Sequence, residues 1–215
     1  MSDLRGDPRA PVVITLLVAI ALPLLMPSEF SPGDGFVASG IEAILLVAML
    51  VTDPGRIDAR SAKVRAIRIA LICVLVIGAA WATVALIVDI VDGGSKTNSA
   101  GELLLAGGLV FAYIAIAFAF LYWELDSGGP GRRAHVTVAH PDFAFPQHAS
   151  PHLAPPGWRP VFLDYLHLGF TNATAFSPTD VMPLTHRAKY AMLVQSTVAL
   201  ALIGLVVARA VNAFT

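Results

Sequence analysis

Thr174-Ala175-Phe176-Ser177-Pro178-Thr179-Asp180, running on into Val181-Met182-Pro183-Leu184-Thr185-His186-Arg187-Ala188-Lys189, decides how this chain is read. The stretch is polar and punctuated by proline. It sits between a moderately apolar segment, 161–176, and a long apolar one, 186–212. Proline fixes φ and restricts the residue before it, so regular helix is not expected to run through Pro178. A short helix, an irregular polar loop and a long helix are expected in that order.

The surrounding composition places this stretch in a membrane. Of 215 residues, 56% are hydrophobic and 13% charged, against about 25% charged in a soluble domain; the mean hydropathy is +0.73. Further apolar segments run at 11–26, 37–52, 66–91 and 102–123. A spanning helix needs about 20 residues. The third, fourth and last segments meet this, and the first two meet it once flanking small residues are counted. Arg5 and Arg9 ahead of the first run resemble the start of a signal peptide. No small-x-small site follows, and the run ends in Met26-Pro27-Ser28-Glu29, so a retained first span is expected. The net charge of −1 gives no bulk attraction to nucleic acid. Cys73, the single cysteine, excludes an intrachain disulfide and reads as a small buried apolar residue.

The linkers set an orientation. Residues 27–36 carry no Lys or Arg and 92–101 carry only Lys96, whereas 53–68 carry Arg56, Arg60, Lys63, Arg65 and Arg68. Basic residues stay on the cytoplasmic side, so 53–68 and the amino terminus are expected inside. Arg132 and Arg133 follow them inside if four spans precede. Residues 126–160 are rich in Pro, Gly and His without a sustained helical period, and an irregular membrane-surface loop is expected there. No internal repeat is present. Three units result: a four-span bundle over 1–125, the loop 126–160, and 161–215. The fold expected is an all-α integral membrane helical bundle of five or six spans, with a re-entrant pore-like helix and loop before the last span.

Residues 161–212 resemble the pore module of bacterial potassium channels, in which a short helix leads to T-T-V-G-Y-G-D, then x-x-P-x-T-x-x-A-R, then an inner helix ending near V-A-R. Asp180, Pro183, Thr185, Ala188 and Lys189 fall in register without a gap, and Val207-Ala208-Arg209 follows at that family's spacing. A second resemblance, to a family of uncharacterised bacterial multipass membrane proteins, rests on Tyr122-Trp123-Glu124-Leu125-Asp126-Ser127-Gly128-Gly129, Phe143-Ala144-Phe145-Pro146 and Phe162-Leu163-Asp164-Tyr165-Leu166. It implies no activity. The first resemblance implies a homo-oligomer, a tetramer, in a bacterial inner membrane, with small ions and the lipid bilayer as its partners.

The departures from that pattern carry chemistry. A potassium filter presents rings of backbone carbonyls, and that geometry uses glycine at positive φ. Here Ser177 and Thr179 replace both glycines, and Pro178 stands where tyrosine is usual. A potassium-selective ladder is therefore not expected. The expected lining is Thr171, Asn172, Thr174, Ala175, Phe176, Ser177, Pro178, Thr179 and Asp180, with Gln195, Ala199 and Gly204 on the inner helix. Ala199 aligns with the family's flexible glycine, and Gly204 is the alternative hinge. The function expected is an oligomeric channel passing small ions without potassium selectivity. Its rival is a non-conducting structural or sensory subunit, or a transporter reusing the fold.

A potassium-channel pore loop enters from outside, whereas charge counting puts 126–160 inside. Segment 161–176 could cross fully, an early segment could fail to cross, or the loop could dip in from the cytoplasm. Asp164, His167, Thr171, Asn172 and Thr174 favour a re-entrant or protein-enclosed helix.

Other polar residues have plainer readings. Asp180 would either attract cations or pair with Arg187 or Lys189, or else cap the last helix. Asp164, Glu42 and Glu102 near helix starts are expected at the interface, and Asp89 and Asp92 at the non-cytoplasmic end of the third span. Asn172-Ala173-Thr174 fits a glycosylation sequon but would be unreachable. His135, His140, His148 and His152 lack the pattern of a zinc site, and no metal is expected. Small residues in the last helix, among them Ala188, Ala191 and Ala208, suit close packing. Trp81, Trp123 and Trp158 suit anchoring or packing alike. No nucleophile elbow, P-loop or carboxylate pair appears, so no catalytic residue, cofactor or enzymatic activity is expected.

Overall fold

The computed structural model describes residues 6–93, 97, 99–136, 138–174 and 180–213. Six helices dominate it: α1 (Arg9–Leu25), α2 (Phe36–Thr52), α3 (Ala62–Val91), α4 (Ala100–Leu125), α7 (Phe162–Thr174) and α8 (His186–Ala213). Two single-turn helices, α5 (Pro130–Arg133) and α6 (Pro146–Ala149), lie between α4 and α7. Two-residue strands β1 (Phe143–Ala144) and β2 (Met182–Pro183) pair antiparallel, with Phe143 opposite Pro183. The starts of α3 and α4 are chemically marked. Ser61 accepts from the Val64 amide at 3.1 Å, and Ser99 with Glu102 forms a capping box, which fills amides that a helix leaves unpaired.

Helices α3, α4 and α8 are each long and apolar enough to cross a membrane, while α1 and α2 are apolar helices of 17 residues. The chain is thus a helical membrane protein. Its outward faces agree, since Leu193, Val194, Leu200, Val207 and Val211 of α8 are exposed. The inward face of α8 is Ala188, Met192, Gln195, Ala199, Leu202, Val206 and Ala210, spaced three or four apart as one helical stripe requires. Cys73, expected to be buried, lies on the exposed face of α3.

The helices run between two chemically different ends. At the first, Asp7 and Ile57 exchange backbone hydrogen bonds at 3.1 Å. The Trp123 indole donates to Asp7 at 2.6 Å, Arg68 meets Glu124, and Arg187 meets Asp142. At the second, the Ser31 hydroxyl donates to the Pro23 carbonyl, and Arg209 donates to the Gly93 carbonyl at 2.6 Å. Among the described residues, Arg209 is the one basic side chain at the second end. The first is therefore called the basic end.

Helix α7 starts at the basic end and runs antiparallel to α4. Phe162 packs on Phe120 and Trp123, with ring centroids 4.6 and 5.5 Å away. Gly169 lies so close to the Ala115 carbonyl and Ala119 that a Cβ would overlap them, which is why glycine is needed there. Ala173 reaches Ala115 and Ala199, about halfway along α4. The described chain resumes at Asp180, and Leu184 donates to the Asp142 carbonyl at 2.8 Å, back at the basic end. At 13 residues, α7 is about 20 Å long, short of the ~30 Å hydrocarbon core.

The described residues of 126–160 form short turns without a long helix. The segment carries α5, α6 and β1, and its Asp126, Arg133 and Asp142 are buried.

Candidate functional site

Two polar constellations hold α7 and the start of α8. The first is a clamp in the interior. Gln195 of α8 accepts from the Tyr122 hydroxyl at 2.5 Å and from Asn172 Nδ2 at 2.8 Å. Its own Nε2 donates to the Gly169 carbonyl at 2.7 Å. Asn172 Nδ2 also faces the Met192 carbonyl at 3.1 Å and the Tyr122 hydroxyl at 3.2 Å. An amide nitrogen has two protons, so three acceptors saturate it. Tyr122, Asn172 and Gln195 are all buried, and each answers another's polar atoms, as burial demands. The clamp ties α4, α7 and α8 at one level.

The second is a clasp at the basic end. Asp126, 1% exposed, accepts from the Tyr165 hydroxyl at 2.5 Å and from the Asp142 amide at 2.8 Å. Asp142 accepts from the Ser127 amide at 2.8 Å, from Thr185 at 2.6 Å, and from Arg187 Nε and Nη2 at 2.6 Å each. Burial pushes the Asp142 carboxyl up, but the hydrogen bonds from Arg187, Thr185 and Ser127 outweigh it and hold it below the usual carboxylate range. It stays charged near neutral pH. Arg133 donates to the carbonyls of Trp123 and Asp126, at 2.8 and 2.6 Å, and lies 4.9 Å from the Tyr165 ring centroid. A cation filling the last carbonyls suits a helix carboxy terminus.

These placements sort the residues expected to line a passage. Thr171 is half-buried and Thr174 exposed, their hydroxyls bonded to carbonyls of their own helix. Asn172, Gln195 and Ala199 face the interior of the chain, and Gly204 faces outward. Ala175, Phe176, Ser177, Pro178 and Thr179 lie outside the described residues. Asp180 is exposed and neither pairs with Arg187 nor caps α8. Asp142 takes Arg187, and Thr185 sits at the start of α8, where its carbonyl accepts from Lys189.

Glu42 is a correction. Expected at the interface, it is fully buried on α2 and accepts from the Tyr113 hydroxyl of α4 at 2.5 Å. Its Oε2 has no hydrogen-bond partner. Gly78 of α3 makes the contact geometrically feasible, because a Cβ there would overlap the Tyr113 hydroxyl. Gly78→Ala is therefore expected to destabilise the protein by about 1–3 kcal/mol through overpacking and a lost buried hydrogen bond. Titration with a denaturing detergent measures this, and an unchanged midpoint would remove the Glu42–Tyr113 contact from the core. Glu102 and Asp164, by contrast, do mark helix starts, Asp164 by accepting from the Val161 amide at 2.8 Å.

Asp126, Asp142, Arg68, Glu124 and Tyr122 carry this architecture without having been singled out for it in the sequence. The available signal was charge set against an apolar run, as in Glu124 and Asp126 directly after 102–123. Among the described residues, no group of three or more His, Cys, Asp or Glu side chains could hold a metal ion. Comparison of the chain with protein-family models, curated proteins and solved structures finds no match.

Proposed function

We propose that the chain is a multipass protein of a bacterial inner membrane whose α7–loop–α8 hairpin forms, in a homo-oligomer, a passage for small ions. In this reading α1, α2, α3, α4 and α8 cross the bilayer. The basic end is cytoplasmic, following the retention of Lys and Arg on that side, and α7 enters from there as a re-entrant helix.

The observation that carries the reading is the half-length α7. It begins at the basic end and reaches the level of Ala115 and Ala199, and the chain resumes at the basic end beside Asp142. Non-spanning backbone at membrane depth is tolerated where protein encloses it or where it lines a water-filled cavity. Thr171 and Thr174 face away from the core, and Thr197, Ala201, Gly204 and Ala208 form an exposed stripe of small side chains on α8. Small residues allow close approach of a second helix in lipid. The lining proposed is Thr171, Thr174, Ser177, Thr179 and Asp180. Asn172 and Gln195 act as the clamp that holds the hairpin, and Ala199 as packing.

The second reading is a non-conducting membrane subunit. The clamp favours it, because Asn172 Nδ2, both amide atoms of Gln195 and the Tyr122 hydroxyl are answered within one chain.

Flux into liposomes under potassium, sodium and chloride gradients separates the two. Conduction is expected for the wild type, and Thr174→Leu with Ser177→Leu is expected to abolish it. Flux unchanged in that double variant rejects the lining, and no flux for any ion from verified oriented protein supports the non-conducting reading.

A further inference from the structure

A crevice of about 270 Å³ opens at the basic end between the loop before α3, the turn around α5 and the start of α8. Five of its lining side chains are Arg60, Arg65, Arg68, Arg132 and Arg187, and among the described residues no carboxylate lines it. The nearby acids do not neutralise this set. Glu124 serves Arg68 at 3.0 Å and Arg65 at 3.3 Å, and Asp142 serves Arg187. Arg60 and Arg132 have no ion-pair partner among the described residues. Arg68 is 3% exposed, yet its Nη1 makes no hydrogen bond, and its nearest acid beyond Glu124 is Asp53 at 3.9 Å. A buried donor without an acceptor is costly, so Arg68 adds a positive charge that its neighbours hold incompletely to the arginine set around the crevice.

We propose that this crevice binds a phosphate group, carried either by the headgroup of an anionic phospholipid or by a free phosphorylated anion. Guanidinium groups present paired N–H donors that match phosphate oxygens. The volume equals that of about nine liquid waters, enough for a phosphate and its ester arm. Arg65 and Arg187 stand in the first turns of α3 and α8, near the headgroup level where basic pockets between helices collect anionic lipid. The site does not depend on ion passage.

The test uses the purified full-length chain in detergent. Thermal unfolding is followed with phosphatidylglycerol, with phosphatidylcholine of the same acyl chains, and with inorganic phosphate against chloride of equal ionic strength. A rise in Tm with phosphatidylglycerol but not phosphatidylcholine identifies a headgroup, and a rise with inorganic phosphate identifies a free anion. Arg60→Gln with Arg132→Gln removes the two unpaired charges without breaking an ion pair. It is expected to raise the concentration of phosphatidylglycerol or phosphate needed for half of the Tm rise about thirtyfold, the loss in affinity for two cations near a membrane surface. A native mass spectrum of the wild type provides a readout independent of that variant, with phosphatidylglycerol retained at collision energies that strip phosphatidylcholine. No preference for any phosphate-bearing anion over its control, or an undiminished response in the double variant, overturns the proposal.

Discussion

Gln195→Leu is expected to destabilise the protein by about 2–4 kcal/mol, even though leucine nearly conserves the volume. The magnitude follows from the three hydrogen bonds that Gln195 makes to Tyr122, Asn172 and Gly169, because side-chain bonds between helices in lipid contribute about 0.6 kcal/mol each and up to about 1.7. The Tyr122 hydroxyl loses its shorter partner, and Asn172 keeps only the Met192 carbonyl and the Tyr122 hydroxyl. Adding Asn172→Leu should cost less than the sum of the two single changes, since the residues are mutual partners. Unfolding by a denaturing detergent, compared across the two single variants and the double, gives the coupling. Strict additivity would mean that Asn172 and Gln195 do not act as one clamp. If they do, flux through the proposed passage falls along with stability, because the hairpin is no longer fixed to α4.

The distinction between holding a hairpin and lining it is where sequence reading reached its limit. The helices themselves were legible: the apolar runs 37–52, 66–91 and 186–212 reappear as α2, α3 and α8 with their ends nearly unchanged. Hydropathy records length and average polarity, and both survive folding. The direction in which a polar side chain points is not recorded. Thr171 and Asn172 are adjacent, equally polar, and turned to different faces of α7. Glu42 shows the same limit, as its position six residues into α2 suggests an interface. What buries it is Tyr113, 71 residues away on α4, with Gly78 on α3 leaving the space. The buried anchors of 126–160 were hidden for a related reason. The segment's structure comes from Asp126 and Asp142 reaching Tyr165, Thr185 and Arg187, all distant partners, and composition registers only the prolines and glycines between them.

The pair Arg68–Glu124 gives the second large expected effect, and its two halves should not be equivalent. Both side chains are buried, 3% and 7% exposed, and they meet at 3.0 Å. Removing one partner of such a pair costs about 3–5 kcal/mol, because the other charge is left in low dielectric. Arg68→Met leaves Glu124 with Arg65 at 3.3 Å, an arginine that reaches solvent. Glu124→Leu leaves Arg68 with Asp53 alone, at 3.9 Å, so it should lie at the upper part of that range and Arg68→Met at the lower. Combining the two removes both buried charges, and the double variant should be more stable than Glu124→Leu by itself. Thermal unfolding of the three variants in one detergent decides it. A double variant no more stable than Glu124→Leu would mean that Asp53, rather than Glu124, sets the cost of keeping Arg68 inside. The buried guanidinium would then answer chiefly to the loop ahead of α3, and α4 would be held at the basic end by Arg133 and the Asp126–Tyr165 bond instead.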